Sequence, residues 1–113
     1  MPSNSSGTQA EQLALQFLLA QGMRLEMQNF RGRFGEIDLI MRDAETLVFV
    51  EVRLRNSFGF GGAEASITQS KQNKIRLTAS QYMQRHGEQP CRFDTILMSE
   101  LNRSSIVWIR DAF

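Results

Sequence analysis

Three carboxylates lie close together in the first half of the chain. Glu36 and Asp38 alternate along one short apolar segment, and Glu51 stands in the next, followed two residues later by Arg53. In an extended strand, residues two apart share a face. If the two segments pair as an antiparallel hairpin, carboxylates from neighbouring strands come side by side, with the permanent cation of Arg53 next to them. Like charges gathered on a half-apolar sheet repel, and a proton or a divalent cation relieves the repulsion. Oxygen donors of this kind suit Mg²⁺ or Mn²⁺. Such an ion can activate water for attack on a phosphodiester while the adjacent cation holds the phosphate. The same residues have a plainer reading, a cross-strand ion network on a solvated face.

The elements that must carry these groups follow from periodicity. Ala10, Leu13, Ala14, Phe17 and Leu18 have helical spacing, which predicts a first helix over Thr8–Gln21, closed by Gly22. Met23, Leu25 and Met27 alternate with Arg24, Glu26 and Gln28, the pattern of a strand over Met23–Phe30 with one wetter face. Arg31-Gly32-Arg33 reads as a turn into a second strand, Gly35–Met41, with Ile37, Leu39 and Met41 on one face and Glu36 and Asp38 on the other. A tight turn at Asp43–Thr46 precedes a third strand, Leu47–Arg55, apolar on both faces at its start and so expected in the middle of a sheet. Asn56–Ala63 reads as a glycine-rich surface loop whose Phe58 and Phe60 either stack on unpaired bases or fold back onto the core. A second helix over Thr68–His86 has Ile75, Ala79, Tyr82 and Met83 as its buried stripe, and strands at Arg92–Met98 and Ser105–Ile109 complete an αβββαββ order. Residues 1–7 read as a flexible tail, and residues 8–113 as a single domain.

A chain of 113 residues has room for one hydrophobic core and no separate regulatory domain. With 42% hydrophobic and 22% charged residues it belongs with globular proteins rather than with disordered or membrane classes. A formal charge of +1 excludes a polycation that coats nucleic acid indiscriminately. The distribution is more telling, because Lys71, Lys74, Arg76 and Arg85 lie on the second helix with no acidic residue among them. That helix suits backbone phosphates, or is simply a solvated face. Cys91 is the single cysteine and His86 the single histidine, which excludes an internal disulfide and a Cys/His zinc site. Cys91 reads as a small hydrophobe and His86 as a partial cation at a helix end. No stretch approaches the ~20 apolar residues of a membrane span and no secretory pattern opens the chain, so a cytoplasmic setting without a membrane partner is expected.

Gly35-Glu36-Ile37-Asp38-Leu39-Ile40, followed by Val48-Phe49-Val50-Glu51-Val52-Arg53-Leu54-Arg55, closely resembles the YraN family, bacterial proteins with the restriction-endonuclease-like PD-(D/E)xK fold. The likeness extends to Ala10-Glu11 and Phe17-Leu18, Asn29-Phe30-Arg31, Phe58-Gly59, Lys71 with Lys74, Arg92-Phe93-Asp94 and the terminal Ile109-Arg110-Asp111-Ala112-Phe113. The resemblance implies an α/β nuclease core, a mixed sheet flanked by helices, with a metal held by Asp38 and Glu51. The chain is also similar to archaeal Holliday-junction resolvases, where a glutamate of the first helix approaches the site; Glu11 is the matching position. Glu36 belongs to the same signature, either meeting the metal through water or ordering the strand turn.

By this resemblance the chain is expected to be a Mg²⁺- or Mn²⁺-dependent endonuclease on branched or structured DNA, working as a homodimer at a symmetric junction. Its alternative is a non-catalytic nucleic-acid-binding module on a nuclease scaffold, and a third reading is a protein-interaction scaffold. The departure is at position 53, where the motif has lysine and this chain has arginine. Arginine supplies charge and hydrogen bonds but is effectively never deprotonated. Lys71, at the start of the second helix, is the candidate for a migrated ammonium. Gln69 and Lys71 are expected at the scissile phosphate, and Lys74, Arg55, Arg31 and Arg33 along the nucleic-acid backbone. Asp94 reads as structural, bonding backbone near the sheet edge.

Overall fold

Ala10, Ala14, Leu15 and Leu18 fall on one stripe of α1 (Ser6–Ala20), and that stripe is what the helix buries. In the computed structural model, which describes residues 6–55 and 67–113, α1 is followed by β1 (Arg24–Arg31), β2 (Glu36–Asp43) and β3 (Thr46–Leu54). Then come α2 (Gln69–His86), β4 (Cys91–Met98) and β5 (Val107–Ile109). Residues 1–5 of the expected tail, and the glycine-rich loop with Phe58 and Phe60, lie outside the described residues. The five strands form one sheet in the order β1-β2-β3-β4-β5. Only β3 and β4 run parallel, and α2 lies in the connection between them, as a parallel pair requires. The sheet is therefore mixed, with the expected αβββαββ order.

Each face of the sheet has its own core. On one, Leu39, Met41, Val48, Val50, Ile96 and Met98 pack with the α1 stripe. On the other, Phe30, Ile37, Ile40, Leu47, Phe49 and Phe93 pack with Ile75, Ala79 and Tyr82 of α2. β3 supplies both cores from alternate residues, which is why its sequence is apolar on both sides. Thr68 caps α2 by accepting the Lys71 N–H at 3.1 Å, and Gly87, at φ +96°, ends it in a conformation that residues with a side chain rarely adopt. Among the described residues no helix is long and apolar enough to cross a membrane.

Four expectations need correction. Ile37 does not share a face with Leu39 and Met41, because it packs with Phe30 in the α2-side core. The β2–β3 ladder ends at Leu39↔Val50, so the strand is free to twist beyond that point. β1 is an edge strand interrupted by a bulge between Leu25 and Met27, and both side chains stay exposed rather than lining a buried face. The segment expected as a strand from Ser105 begins instead with a single 3-10 turn at Arg103–Ser105, where Asn102 Oδ1 accepts the Ser105 N–H, and the strand is shortened to Val107–Ile109. α1 also starts at Ser6, two residues earlier than expected.

The C-terminal segment is pinned by one fully buried carboxylate. Asp94 accepts from Arg92 Nε at 3.0 Å and Nη2 at 3.2 Å, from Trp108 Nε1 at 2.9 Å, and from the Asp111 N–H at 2.9 Å. The expected structural role, a bond to backbone near the sheet edge, is what Asp94 performs. Removing it leaves the Trp108 indole N–H and the Asp111 N–H without this acceptor and the half-buried Arg92 guanidinium with only Asp43 as its ion partner. Asp94→Ala is expected to cost about 3–5 kcal/mol of stability in urea unfolding; a loss below about 1 kcal/mol, the worth of an exposed ion pair, would contradict this anchoring role.

Candidate active site

β2 and β3 pair from Asp43↔Thr46 to Leu39↔Val50, and there their backbone ladder stops. At the next position Asp38 Oδ2, rather than a main-chain carbonyl, accepts the Val52 N–H at 2.8 Å. The substitution of side chain for backbone brings a carboxylate to the point where the strands part. Glu51, the residue before Val52, is only 5% exposed, and its negative charge acts on Asp38. Two cations close on the same Glu51 oxygen: Arg53 Nη1 lies 3.5 Å from Oε2 and Lys71 Nζ 3.6 Å from it. Lys71 reaches the sheet from the first turn of α2, which the Thr68 cap and a Gln72 Nε2 bond to the Ile67 carbonyl hold in place.

The electrostatics follow from this crowding. Asp38 is pushed up to about 8, first by burial and then by the negative charge of Glu51, with Glu11 and Glu36 adding to it and the Val52 N–H opposing it. Burial also raises Glu51, against the pull of Lys71 and Arg53. The pair thus resists ionising twice over at neutral pH. Asp38 and Glu51 are donors of the type that holds a hard divalent cation. Among the described residues no group of three or more His, Cys, Asp or Glu side chains is gathered for a metal.

The other expected site residues divide by position. Glu11 is close enough to act on Asp38 through its charge, while its Oε1 accepts from Asn29 Nδ2 at 2.9 Å. Asn29 itself is held at φ +53°. Glu36 turns towards Arg31, 4.0 Å away, and reaches Asp38 only through its field. Gln69 bonds Asn73 along the helix at 3.0 Å, and Lys74 is exposed one turn beyond Lys71. Arg55 is exposed with its Nη1 on the Leu54 carbonyl, and Arg31 and Arg33 are exposed at the β1–β2 hairpin. One neighbour escaped sequence reading. Thr95 on β4 is the register partner of Glu51, is 2% exposed, and its Oγ1 has no hydrogen-bond partner among the described residues. Only the parallel register puts it there, and no local pattern encodes that pairing. Cys91 packs with the α2-side core, its thiol pushed up by burial, and His86 stacks on Tyr82 at 4.1 Å; neither approaches the carboxylate pair in these contacts.

Residues 10–98, which span every element of the site, match the family described as Uncharacterised protein family UPF0102. The chain belongs to this family. The expected membership holds at that level. A UPF0102 protein of Methylobacillus flagellatus is 52% identical over 107 residues, covering 95% of either chain. One from Nitrosomonas europaea is 52% identical over 112 residues, covering 98% of this chain and 95% of its own. One from Colwellia psychrerythraea is 43% identical over 116 residues, covering 98% and 90%.

For this UPF0102 member the raised carboxyls have a measurable consequence. An Asp that ionises near 4 when unfolded and near 8 when folded makes the native state bind more protons between those values, so stability falls as pH rises through that window. Asp38→Asn keeps an acceptor for Val52 and removes the charge. It is expected to flatten that fall and to raise the melting temperature at pH 8.5 in EDTA by about 4–8 °C, the shift that ~1 kcal/mol produces in a domain of this size. Parallel stability curves for the two proteins between pH 5 and 9 would contradict the assignment.

Proposed function

We propose that this protein is a divalent-metal-dependent endonuclease of the PD-(D/E)xK type that cuts phosphodiester bonds of branched or structured DNA in the cytoplasm. One observation carries the reading: two proton-demanding carboxylates meet at the parting of β2 and β3, with the Lys71 ammonium 3.6 Å from Glu51. The residues fit a bound Mg²⁺ or Mn²⁺. The carboxylates resist joint ionisation without a cation, and the orphan hydroxyl of Thr95 beside Glu51 is a polar group awaiting a partner. Asp38 and Glu51 would hold the ion, with Glu11 contributing negative charge from α1. When bound, the ion would supply a nucleophile at neutral pH and stabilise the charge that develops on the phosphate.

The chain's own groups have separable tasks. Arg53 keeps its proton and serves as a fixed phosphate partner. Lys71 supplies from α2 the compact ammonium that the motif otherwise has at position 53, and holds the attacking water by a hydrogen bond. Gln69, two residues earlier at the start of α2, orients the phosphate, and Lys74, Arg55, Arg31 and Arg33 meet the flanking backbone. A homodimer would present two such sites to the paired strands of a junction. A second reading, a binding module without cleavage, is favoured by the engagement of Glu51 Oε2 with both Lys71 and Arg53, which occupy an oxygen that a metal would need.

Cleavage of labelled four-way, flapped, single-stranded and linear DNA in Mg²⁺, Mn²⁺ or EDTA separates the two. Metal-dependent cutting of branched forms is expected, with rates reduced about 10²-fold or more in Asp38→Asn, Glu51→Gln and Lys71→Met. Arg53→Lys is expected to remain active. Salt-sensitive binding without cutting, including by Arg53→Lys, would establish the binding module instead. Cutting that survives in Asp38→Asn and Glu51→Gln would remove the proposed site.

A further inference from the structure

The tip of the β1–β2 hairpin holds an aromatic ring out into solvent. Phe34 is 46% exposed, and it is the one exposed phenylalanine among the described residues. Its surroundings are not those of a loose turn. The Gly32 N–H donates to the Gly35 carbonyl at 2.8 Å, closing the hairpin, and the Arg33 N–H donates to Gln81 Oε1 of α2 at 2.8 Å. A Cβ on Gly32 would run into that same Gln81 Oε1 and come within 3.2 Å of Thr78 Cγ2. The absence of a side chain at position 32 is thus what lets the tip sit down on the helix. The tip is seated, and Phe34 is nonetheless turned outward.

Arginines flank the ring in sequence on the hairpin. The Arg33 guanidinium lies 5.8 Å from the Phe34 ring centroid, and the Arg31 side chain is 80% exposed, with only a 4.0 Å contact to Glu36. Asp38 is four residues along the chain from Phe34, at most about 14 Å even if fully extended. A flat apolar face and two permanent cations, close along the chain to the proposed phosphate-handling site, fit a partner that has both a π-face and phosphates. A closed duplex offers phosphates to Arg31 and Arg33 but keeps its base faces stacked on one another. An unpaired base, as at a branch or flap, can lie on the ring.

We propose that the β1–β2 hairpin is a base-stacking element in which Phe34 receives an unpaired nucleobase while Arg31 and Arg33 hold the adjoining phosphates, so that it selects DNA opened next to the scissile bond. The proposal rests on the nuclease reading for its phosphate partner, and it identifies the feature of branched DNA that is recognised. It predicts that the ring contributes to single-stranded affinity alone, whereas the arginines contribute to both forms.

Fluorescence anisotropy with a labelled oligothymidine and a blunt duplex of equal length, in EDTA so that nothing is cut, tests it. Phe34→Ala is expected to weaken binding of the single strand by about 5–150-fold, the range for one stacked base, and to leave duplex affinity unchanged. Phe34→Trp is expected to restore single-strand binding, and Arg33→Ala to weaken both forms. Equal losses on both forms in Phe34→Ala, or no loss on either, would overturn the stacking role while leaving the nuclease reading in place. A drop in self-association with unchanged DNA binding would overturn it too, and make the tip a protein contact. Wild-type protein that binds neither DNA removes the stacking role and the nuclease reading together.

Discussion

Two carboxylates that repel each other as anions meet where β2 and β3 part, and much of the nearby structure answers that repulsion. Asp38 gives up a regular place in the ladder and takes the Val52 N–H instead. Glu51 stays buried on β3 because Arg53, two residues along the same strand, and Lys71, from α2, both approach its Oε2. These contacts do not cancel the cost of burial, since both carboxyls remain raised above their ordinary range. Breaking such an arrangement by removing one partner is expensive, whereas a well-packed apolar replacement is often neutral. A fold with no use for charge here has a simpler solution, and the proposal of a chemical role for the pair rests on that contrast.

The rest of the architecture holds that point still. α1 and α2 cover opposite faces of the sheet, so β3 is packed on both sides and its backbone cannot drift. The parallel β3–β4 register places Thr95 beside Glu51 and Phe93 against Phe49, whose rings stack at 5.5 Å. Further along the same layer, Arg76 lies over both Phe93 and Phe113, tying α2 to the end of the chain. On the opposite face of β4, Asp94 gathers Arg92, Trp108 and the Asp111 amide. The strand that supports the site is therefore anchored from both faces, while the β1 edge and its hairpin remain open to solvent at Leu25, Met27 and Phe34.

Much of this was legible from residue spacing. The helical stripe of α1, the centrality of β3, the extent of α2 and the nearness of Asp38 to Glu51 all follow from residue spacing. What failed was periodicity across irregularities: the bulge at Leu25 and Met27 and the early end of the β2–β3 ladder move side chains to faces that strict alternation does not assign. The site was legible as a pair of charges and illegible as a contact list. Whether Lys71 faces the sheet depends on how α2 docks, Thr95 depends on a parallel register, and Glu36 leaves the cluster for Arg31, a partner across the hairpin. Phe34 was hidden for another reason, because an aromatic residue between turn residues carries no sign of whether it folds inward.

In the proposed function Asp38 and Glu51 are a site for a divalent cation rather than a protonated structural pair. Titrating the protein with Mn²⁺ at pH 7.5, followed by the loss of the free-ion electron paramagnetic resonance signal, measures this without reference to any substrate. One ion bound per chain in the wild type, with affinity lost in Asp38→Asn and in Glu51→Gln, is the predicted result. Equal uptake by all three proteins, or none by the wild type, would contradict it.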